Sequence, residues 1–388
     1  MVIFAPMEKG VIYLDNAAST PMDETVVDSM VQCMRTIYGN PSSLHNHGRK
    51  ARVLIEHARR SIAGCLGVSS AEIFFTSGGT EAGNAVLWGC CKDLGFKNFI
   101  ASTTEHPAIL GTLDALVRHM GARVHFVKVD SLGNIDFEHL DTLLLQYPRS
   151  VVSLMHANNE TGKLLPVKHV AGICKRYDAV FLSDTVQTIG KFRLDLRQLG
   201  LDFAMASAHK FHGPKGVGFM FIKSGHLLQS FLSGGAQERN MRAGTENVCG
   251  IVGMARALDV AMQRLDEDCV YIRGLKDEFV RLLSDRIPQI VFNGDINAGS
   301  LHTIVNFSLP QWKDPDMLLP GLDIEGICVS AGSACSSGSH KGSHVLEAMG
   351  VDPSVSSLRV SFSRYNTIEE IHRFVEVLSN LTCRTSDI

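Results

Sequence analysis

Five apolar, strand-like runs in this chain each stop at side chains able to do chemistry. Phe75 leads into Thr76-Ser77-Gly78-Gly79-Thr80-Glu81, Ala101 into Ser102-Thr103-Thr104-Glu105-His106-Pro107, and Met155 into His156-Ala157-Asn158-Asn159-Glu160. Leu182 is followed by Ser183-Asp184-Thr185-Val186-Gln187, and Ala206 by Ser207-Ala208-His209-Lys210. In open α/β sheets, ligands bind at the carboxyl ends of the strands, so the five segments are candidates for one shared site.

Each segment also has a plain reading. Gly79 and Thr80 suit an anion held by backbone N–H groups at a helix start, and an ordinary turn suits the same residues; the spacing matches neither a dinucleotide fingerprint nor a Walker loop. His106 precedes Pro107, which fits the first turn of a helix, and a lone histidine is more often structural than catalytic. Asp184 closes an apolar strand, where a carboxylate is costly to bury without a cation or a ligand proton. Lys210, between an apolar run and a glycine-rich turn, suits Schiff-base chemistry; a snorkelling surface lysine fits equally well. Together the residues constrain one another. A lysine for an imine, an acid for a pyridinium nitrogen, a phosphate cradle and a histidine near the ring are what a pyridoxal 5'-phosphate site requires. No metal is expected, since His and Cys lack ligand spacings such as C-x-x-C.

A further candidate stands apart. The stretch SAGSACSSGSHKG (Ser330–Gly342) sets Cys335 among small, flexible residues. Buried cysteines normally have large apolar neighbours, so this thiol is expected to be presented rather than packed. The chain's ten cysteines show no disulfide-module spacing and read as free thiols in a reducing compartment, with Cys90 and Cys91 as packing residues of a helix.

The elements that must position these groups follow from periodicity. Strand-like runs alternate with helical patterns, the signature of βαβ units around a mostly parallel sheet. Ala51, Leu54, Ile55, Ala58 and Ile62 form the apolar stripe of a helix packed on that sheet. A helical pattern from about Cys249 to Leu283 exceeds normal helix length; it predicts a break and a connection to a second, smaller α+β unit. Strands are expected there at 304–309, 326–329 and 358–362. In the last of these, alternation puts Leu358, Val360 and Phe362 on one face and Arg359 on the other, its guanidinium free for a carboxylate. A closing helix starts near Thr367, where Thr367 and Glu370 have capping-box spacing.

With 388 residues, 45% of them hydrophobic, and a formal net charge of -3, the chain can bury a large core and carries no basic field for nucleic acid or an anionic membrane. No run approaches the roughly 20 apolar residues of a membrane span, and the first residues lack the apolar segment of a signal peptide, so a cytoplasmic location is expected.

Read together, YLDNAAST (from Tyr13), YGNPSSLH (from Tyr38), SGGTEAGN (from Ser77), TEHPAI (from Thr104), HANNETG (from His156), SAHKFHGPKGVG (from Ser207), GGAQERNMRAGTENV (from Gly234) and SAGSACSSGS (from Ser330) resemble a cysteine desulfurase of the NifS/IscS type. These belong to the class V aminotransferase-like, fold-type I pyridoxal phosphate enzymes, and the resemblance spans almost the whole chain in order. It implies a large cofactor-binding domain at 14–260, and a small domain at 261–388 that takes in residues 1–13 and carries the cysteine loop at about 330–342.

The resemblance also implies roles. Lys210 would be the Schiff-base lysine, Asp184 would meet the pyridinium nitrogen, Gln187 the phenolic oxygen, and His106 would stack on the ring and move protons. Gly79, Thr80, Ser207 and His209 would bind the phosphate, and Thr245 would reach the phosphate of a neighbouring subunit, implying a homodimer with shared sites. Asn158 and Arg359 would hold the carboxylate of L-cysteine. Cys335, as a thiolate, would take the substrate sulfur as a persulfide, leaving L-alanine, and pass it to an acceptor, an iron–sulfur scaffold or a tRNA-thiolation enzyme. Any contact with an iron–sulfur cluster would be transient and through Cys335. A selenocysteine lyase shares the scaffold, and a non-catalytic sulfur carrier would keep the fold; a transaminase has no use for the loop cysteine. After the last helix the sequence stops at Ile388 without the extension by which some relatives engage a scaffold, which leaves the acceptor open.

Overall fold

In the computed structural model, residues 10–384 are described, apart from 288, 298, 313–314 and 332–341. Cys335 therefore lies outside the described residues.

A seven-stranded sheet organises the first two thirds. Its strands are β2 (Ile73–Thr76), β3 (Asn98–Ser102), β4 (Arg123–Val127), β5 (Val151–Ser153), β6 (Val180–Asp184), β7 (Phe203–Ser207) and β8 (Gly218–Ile222), following a short β1 (Ile12–Tyr13) that belongs elsewhere. The order is β2-β8-β7-β6-β5-β3-β4, with β8 antiparallel to both its neighbours and every other pair parallel. β2 and β5 to β8 are buried on both faces, as a sheet covered by helices requires. Successive residues face opposite layers. Phe75, Ile100, Val152, Phe181 and Phe219 meet α2 (Asn46–Cys65), α5 (Phe137–Gln146) and α6 (Val167–Arg176). Phe74, Phe99, Val151, Leu182 and Met205 meet α3 (Gly79–Lys92) and α4 (Pro107–Met120). The expected stripe is present: Ala51, Ile55, Ala58 and Ile62 of α2 are buried. β4 and β8 have no counterpart in the sequence reading; β4 is the exposed edge strand and shows no continuous apolar run.

The open edge of β2 is closed by side chains. Arg59, 2% exposed, makes a two-bond ion pair with Glu238 at 2.7 Å on both nitrogens, donates to Ile73 O, and Glu238 in turn accepts the Phe75 N–H at 2.8 Å. Glu238, Arg239 and Asn240 all have positive φ, between 46° and 66°, so three consecutive non-glycine residues turn left-handed to present that carboxylate. An edge strand paired in this way offers no template for another chain.

The helix from Val248 to Arg286 is 39 residues long and unbroken, a correction to the expected interruption. The reason is burial at both ends. Ile251, Met254 and Leu258 join the core of the large sheet, while Ile272, Leu275, Phe279 and Leu283 join a separate core built on β10 (Ile304–Leu309), β12 (Ser356–Ser361) and the last helix, Ile368–Arg384. The boundary expected at 260/261 falls inside this helix. β10 is the centre of a three-stranded antiparallel sheet with β9 (Val291–Phe292) and β12, and β1 pairs with β11 (Ile327–Cys328). Thr367 and Glu370 form the expected reciprocal cap. Eight described cysteines are free thiols, Cys90 and Cys91 fully packed among them.

Candidate active site

The carboxyl ends of β2, β3, β5, β6 and β7 share one edge of the sheet, and there a cavity of about 210 Å³ opens. Gly79, Thr80, His106, Asp184, Gln187, Ser207, His209, Lys210 and Arg359 all line it. Segments far apart in sequence thus meet where the strand pattern placed them.

Lys210 ends a single 3-10 turn that follows the buried β7. Its Nζ donates to the carbonyls of Ala17 at 2.6 Å and Ala18 at 2.8 Å, which holds the amine at the cavity wall. Asp184, the last residue of β6, takes the Val186 N–H on Oδ1 at 2.9 Å. Burial pushes its pKa up to about 6, against the pull of the Val186 N–H and the Lys210 charge. A carboxyl buried at the cavity wall fits a cationic ring N–H in the cavity. Gln187 donates from Nε2 to Ala17 O at 2.9 Å and accepts the Lys191 ammonium on Oε1 at 3.1 Å.

His106 caps α4 through Nδ1, which accepts the Ala108 N–H at 3.1 Å. The ring proton therefore sits on Nε2. Burial, helped by the Lys210 and His344 charges, pushes its pKa down to about 4, so the ring is neutral at pH 7. His209 is likewise lowered to about 4 by burial and lies 3.2 Å from Ser19 Oγ through Nδ1. α3 begins at Gly79 without a side-chain cap, leaving first-turn N–H groups for an anion beside Thr80 and Ser207. Bulk is excluded there: a Cβ on Gly79 would stand 2.8 Å from Val186 Cγ2. A phosphate cradle, a ring-nitrogen acid and a lysine in one cavity fit pyridoxal phosphate.

Two expectations are altered by the geometry. Arg359 does face away from the apolar side of its sheet, but its guanidinium is not free. It is 1% exposed, pairs with Asp15 Oδ1 at 2.8 Å and donates to Asn159 O at 3.0 Å, while Nε has no partner among the described residues. Asn158 is a turn residue: Oδ1 accepts the N–H groups of Glu160 and Thr161, and Nδ2 donates to Thr104 O. Its neighbour Asn159 lines the cavity instead. Thr245 lies outside the cavity, on a second hollow of about 150 Å³ with Ser77, Arg242 and Asn247.

Asn159, Lys191 and the Ala17–Ala18 carbonyls are the residues that sequence reasoning missed. YLDNAAST marked the last pair as a motif without giving them a task; nothing in the local pattern marks Lys191. No described cysteine lines the cavity. The strand entering the cysteine loop is tied to it, however: Ser330 and Arg359 exchange both backbone bonds, at 2.7 and 3.3 Å, and Ser330 Oγ donates to Asp15. Beyond the loop, Ser343 Oγ bonds Glu160 and His344 Nε2 lies 3.0 Å from Glu105 O.

The aminotransferase class-V family model matches residues 12–374. A protein named cysteine desulfurase IscS, from Dictyoglomus turgidum, is 39% identical over 374 residues, 95% of this chain and 94% of its own. Among solved structures, a NifS-like protein superposes with a TM-score of 0.89 at 37% identity, covering 96% of this chain and 99% of its own. SspA in complex with cysteine gives 0.77 at 27% identity, over 92% of this chain and all of that one.

Proposed function

For a chain that belongs to the class-V aminotransferase family, alongside its cysteine desulfurases, we propose the reaction L-cysteine plus enzyme thiol to L-alanine plus enzyme persulfide, with Cys335 as the thiol. The observation that carries this reading is the convergence of Lys210, Asp184, Gln187 and His106 with the open start of α3 on one cavity that no described cysteine lines. A desulfurase needs such a site together with a thiol brought to it from elsewhere.

Lys210 would hold pyridoxal 5'-phosphate through Nζ, Asp184 would pair with its ring nitrogen, Gln187 with its phenolic oxygen, and Gly79, Thr80, Ser207 and His209 with its phosphate. When bound, the cofactor supplies an electron sink for the pair left at the substrate Cα. Arg359, braced by Asp15, orients the substrate carboxylate, and Asn159 rather than Asn158 stands with it on the cavity wall. Lys210 Nζ moves the proton at Cα, and neutral His106 exchanges a proton through Nε2. The Cys335 thiolate forms the new S–S bond as the substrate C–S bond breaks, and that bond's electron pair stays with the carbon, which a proton closes. Ser330, five residues before Cys335 in the sequence, is bonded through its backbone to Arg359 of the cavity wall, which supports Cys335 as the thiol that serves this site.

Thr245, set apart from the cavity of its own chain, supports a homodimer in which it serves the neighbouring site. The sulfur acceptor is a protein thiol, in cluster assembly or tRNA thiolation. No described helix is long and apolar enough to cross a membrane, in keeping with a cytoplasmic assignment. The division into residues 14–260 and 261–388 is part of the same proposal, the two separate apolar cores supporting it.

The test is product analysis with two substrates. Purified protein given L-cysteine is expected to release alanine in step with persulfide formation on Cys335, and Cys335→Ala to keep the cofactor while losing sulfur transfer. Turnover of L-selenocysteine alone would overturn the assignment in favour of a selenocysteine lyase.

A further inference from the structure

We propose that Lys191 is a positioning residue for the cofactor's phenolic oxygen, acting through the side-chain amide of Gln187. The inference rests on the function proposed above and adds a residue to it. Gln187 is 4% exposed, and its amide lies between two partners of fixed sense. Lys191 Nζ donates to Oε1 at 3.1 Å; the Ala17 carbonyl, which can only accept, takes Nε2 at 2.9 Å. A flipped amide would face a carbonyl with its oxygen and an ammonium with its nitrogen, so only one orientation satisfies both. The second N–H of Nε2 has no partner among the described residues and belongs to a side chain on the cavity wall. Gln187 is thereby a donor toward the cavity, and Lys191 polarises that donor from behind.

Lys191 has the surroundings of a device rather than of a solvated surface charge. It forms no ion pair with a described carboxylate, and it shares the wall of the adjoining hollow with Lys210, Cys269 and His302. Burial, with the Lys210 and Arg359 charges, lowers its pKa to about 7. His212 and His302, which also face it, are held neutral at pH 7, at about 4 and about 3. Below pH 7 the ammonium can only donate, and the sense of the amide is locked. A strong donor on the phenolic oxygen weakens that oxygen's hold on the Schiff-base proton, so Lys191 should lower the pH at which the cofactor's visible band changes.

The experiment is a double-mutant cycle on purified holoenzyme, read by the pH midpoint of the visible band and by cofactor affinity of the apoprotein. K191M is expected to raise the midpoint by about one unit and to weaken cofactor binding about tenfold. K191R should restore both, and in the Q187A background K191M should add no further shift. Unchanged midpoint and affinity in K191M, or the same shift with Gln187 absent, would overturn the inference. If K191M does not melt cooperatively, K191Q takes its place with the same expectations. A wild-type protein without a visible band would instead overturn the proposed function itself.

Discussion

For single residues, the sequence makes legible side-chain type and place in the strand pattern. Lys210, Asp184 and His106 each follow a buried strand, and the chemistry of each narrows the role of the others. Partners were not legible. Arg359 could be assigned to a face by alternation, but its bond to Asp15 spans 344 positions, and no local pattern announces it. Choosing between Asn158 and Asn159 depended on a turn in which Asn158 caps two N–H groups. Two substitutions test these assignments. Lys210→Ala should abolish the visible cofactor band in the absorbance spectrum while the protein remains folded. Arg359→Ala should raise KM for L-cysteine by about 10- to 100-fold, as loss of a charge-assisted carboxylate contact implies. Because it also leaves Asp15 without its buried cation, the same variant should melt at a lower temperature than wild type.

Among the elements, those with strong periodicity appeared where expected, including β10 at Ile304–Leu309 and the capped closing helix. The failures share a cause in tertiary context. β4 lies at an exposed edge and lacks a distinctive run, and the long helix stays intact because two different cores bury its two halves. The Arg59–Glu238 pair invites a test at this scale. Arg59→Ala removes one partner of a buried ion pair and strands Glu238 at the edge of β2; the expected loss is about 3–5 kcal/mol in denaturant unfolding. Thr367→Ala should cost only about 1 kcal/mol, since it deletes one cap of one exposed helix end.

For the molecule as a whole, stability should depend on pH through its buried imidazoles. His106, His156, His209 and His212 are lowered to about 4 and His302 to about 3, all chiefly by burial. An unfolded histidine titrates near 6.5, so between that pH and about 4 the unfolded chain binds more protons, and stability falls as the solution is acidified. Two carboxyls act in the opposite sense. Asp184 and Glu105, raised by burial to about 6 and about 8, favour the folded state at low pH and lose that contribution as pH rises through those values. Five groups outweigh two below pH 6.5. The apoprotein's melting temperature should therefore drop from pH 7 to pH 5, and a flat profile in that window would contradict the burial of these rings.

The segment from Ile12 to Ala18 has a bearing on when the enzyme comes into being. It precedes the large sheet in sequence, yet β1 has its partner at Ile327–Cys328, Ala17 N–H bonds Ser361 Oγ, and the carbonyls of Ala17 and Ala18 hold the Lys210 amine. During synthesis the ribosome must deliver residues 327–361 before residues 12–18 can settle. A fragment that ends before residue 327 holds every strand of the large sheet yet lacks the partners that seat Ala17 and Ala18 against Lys210. The clamp on Lys210 therefore waits for residues 327–361, and a fragment that ends before them should hold the cofactor more weakly than the full sequence.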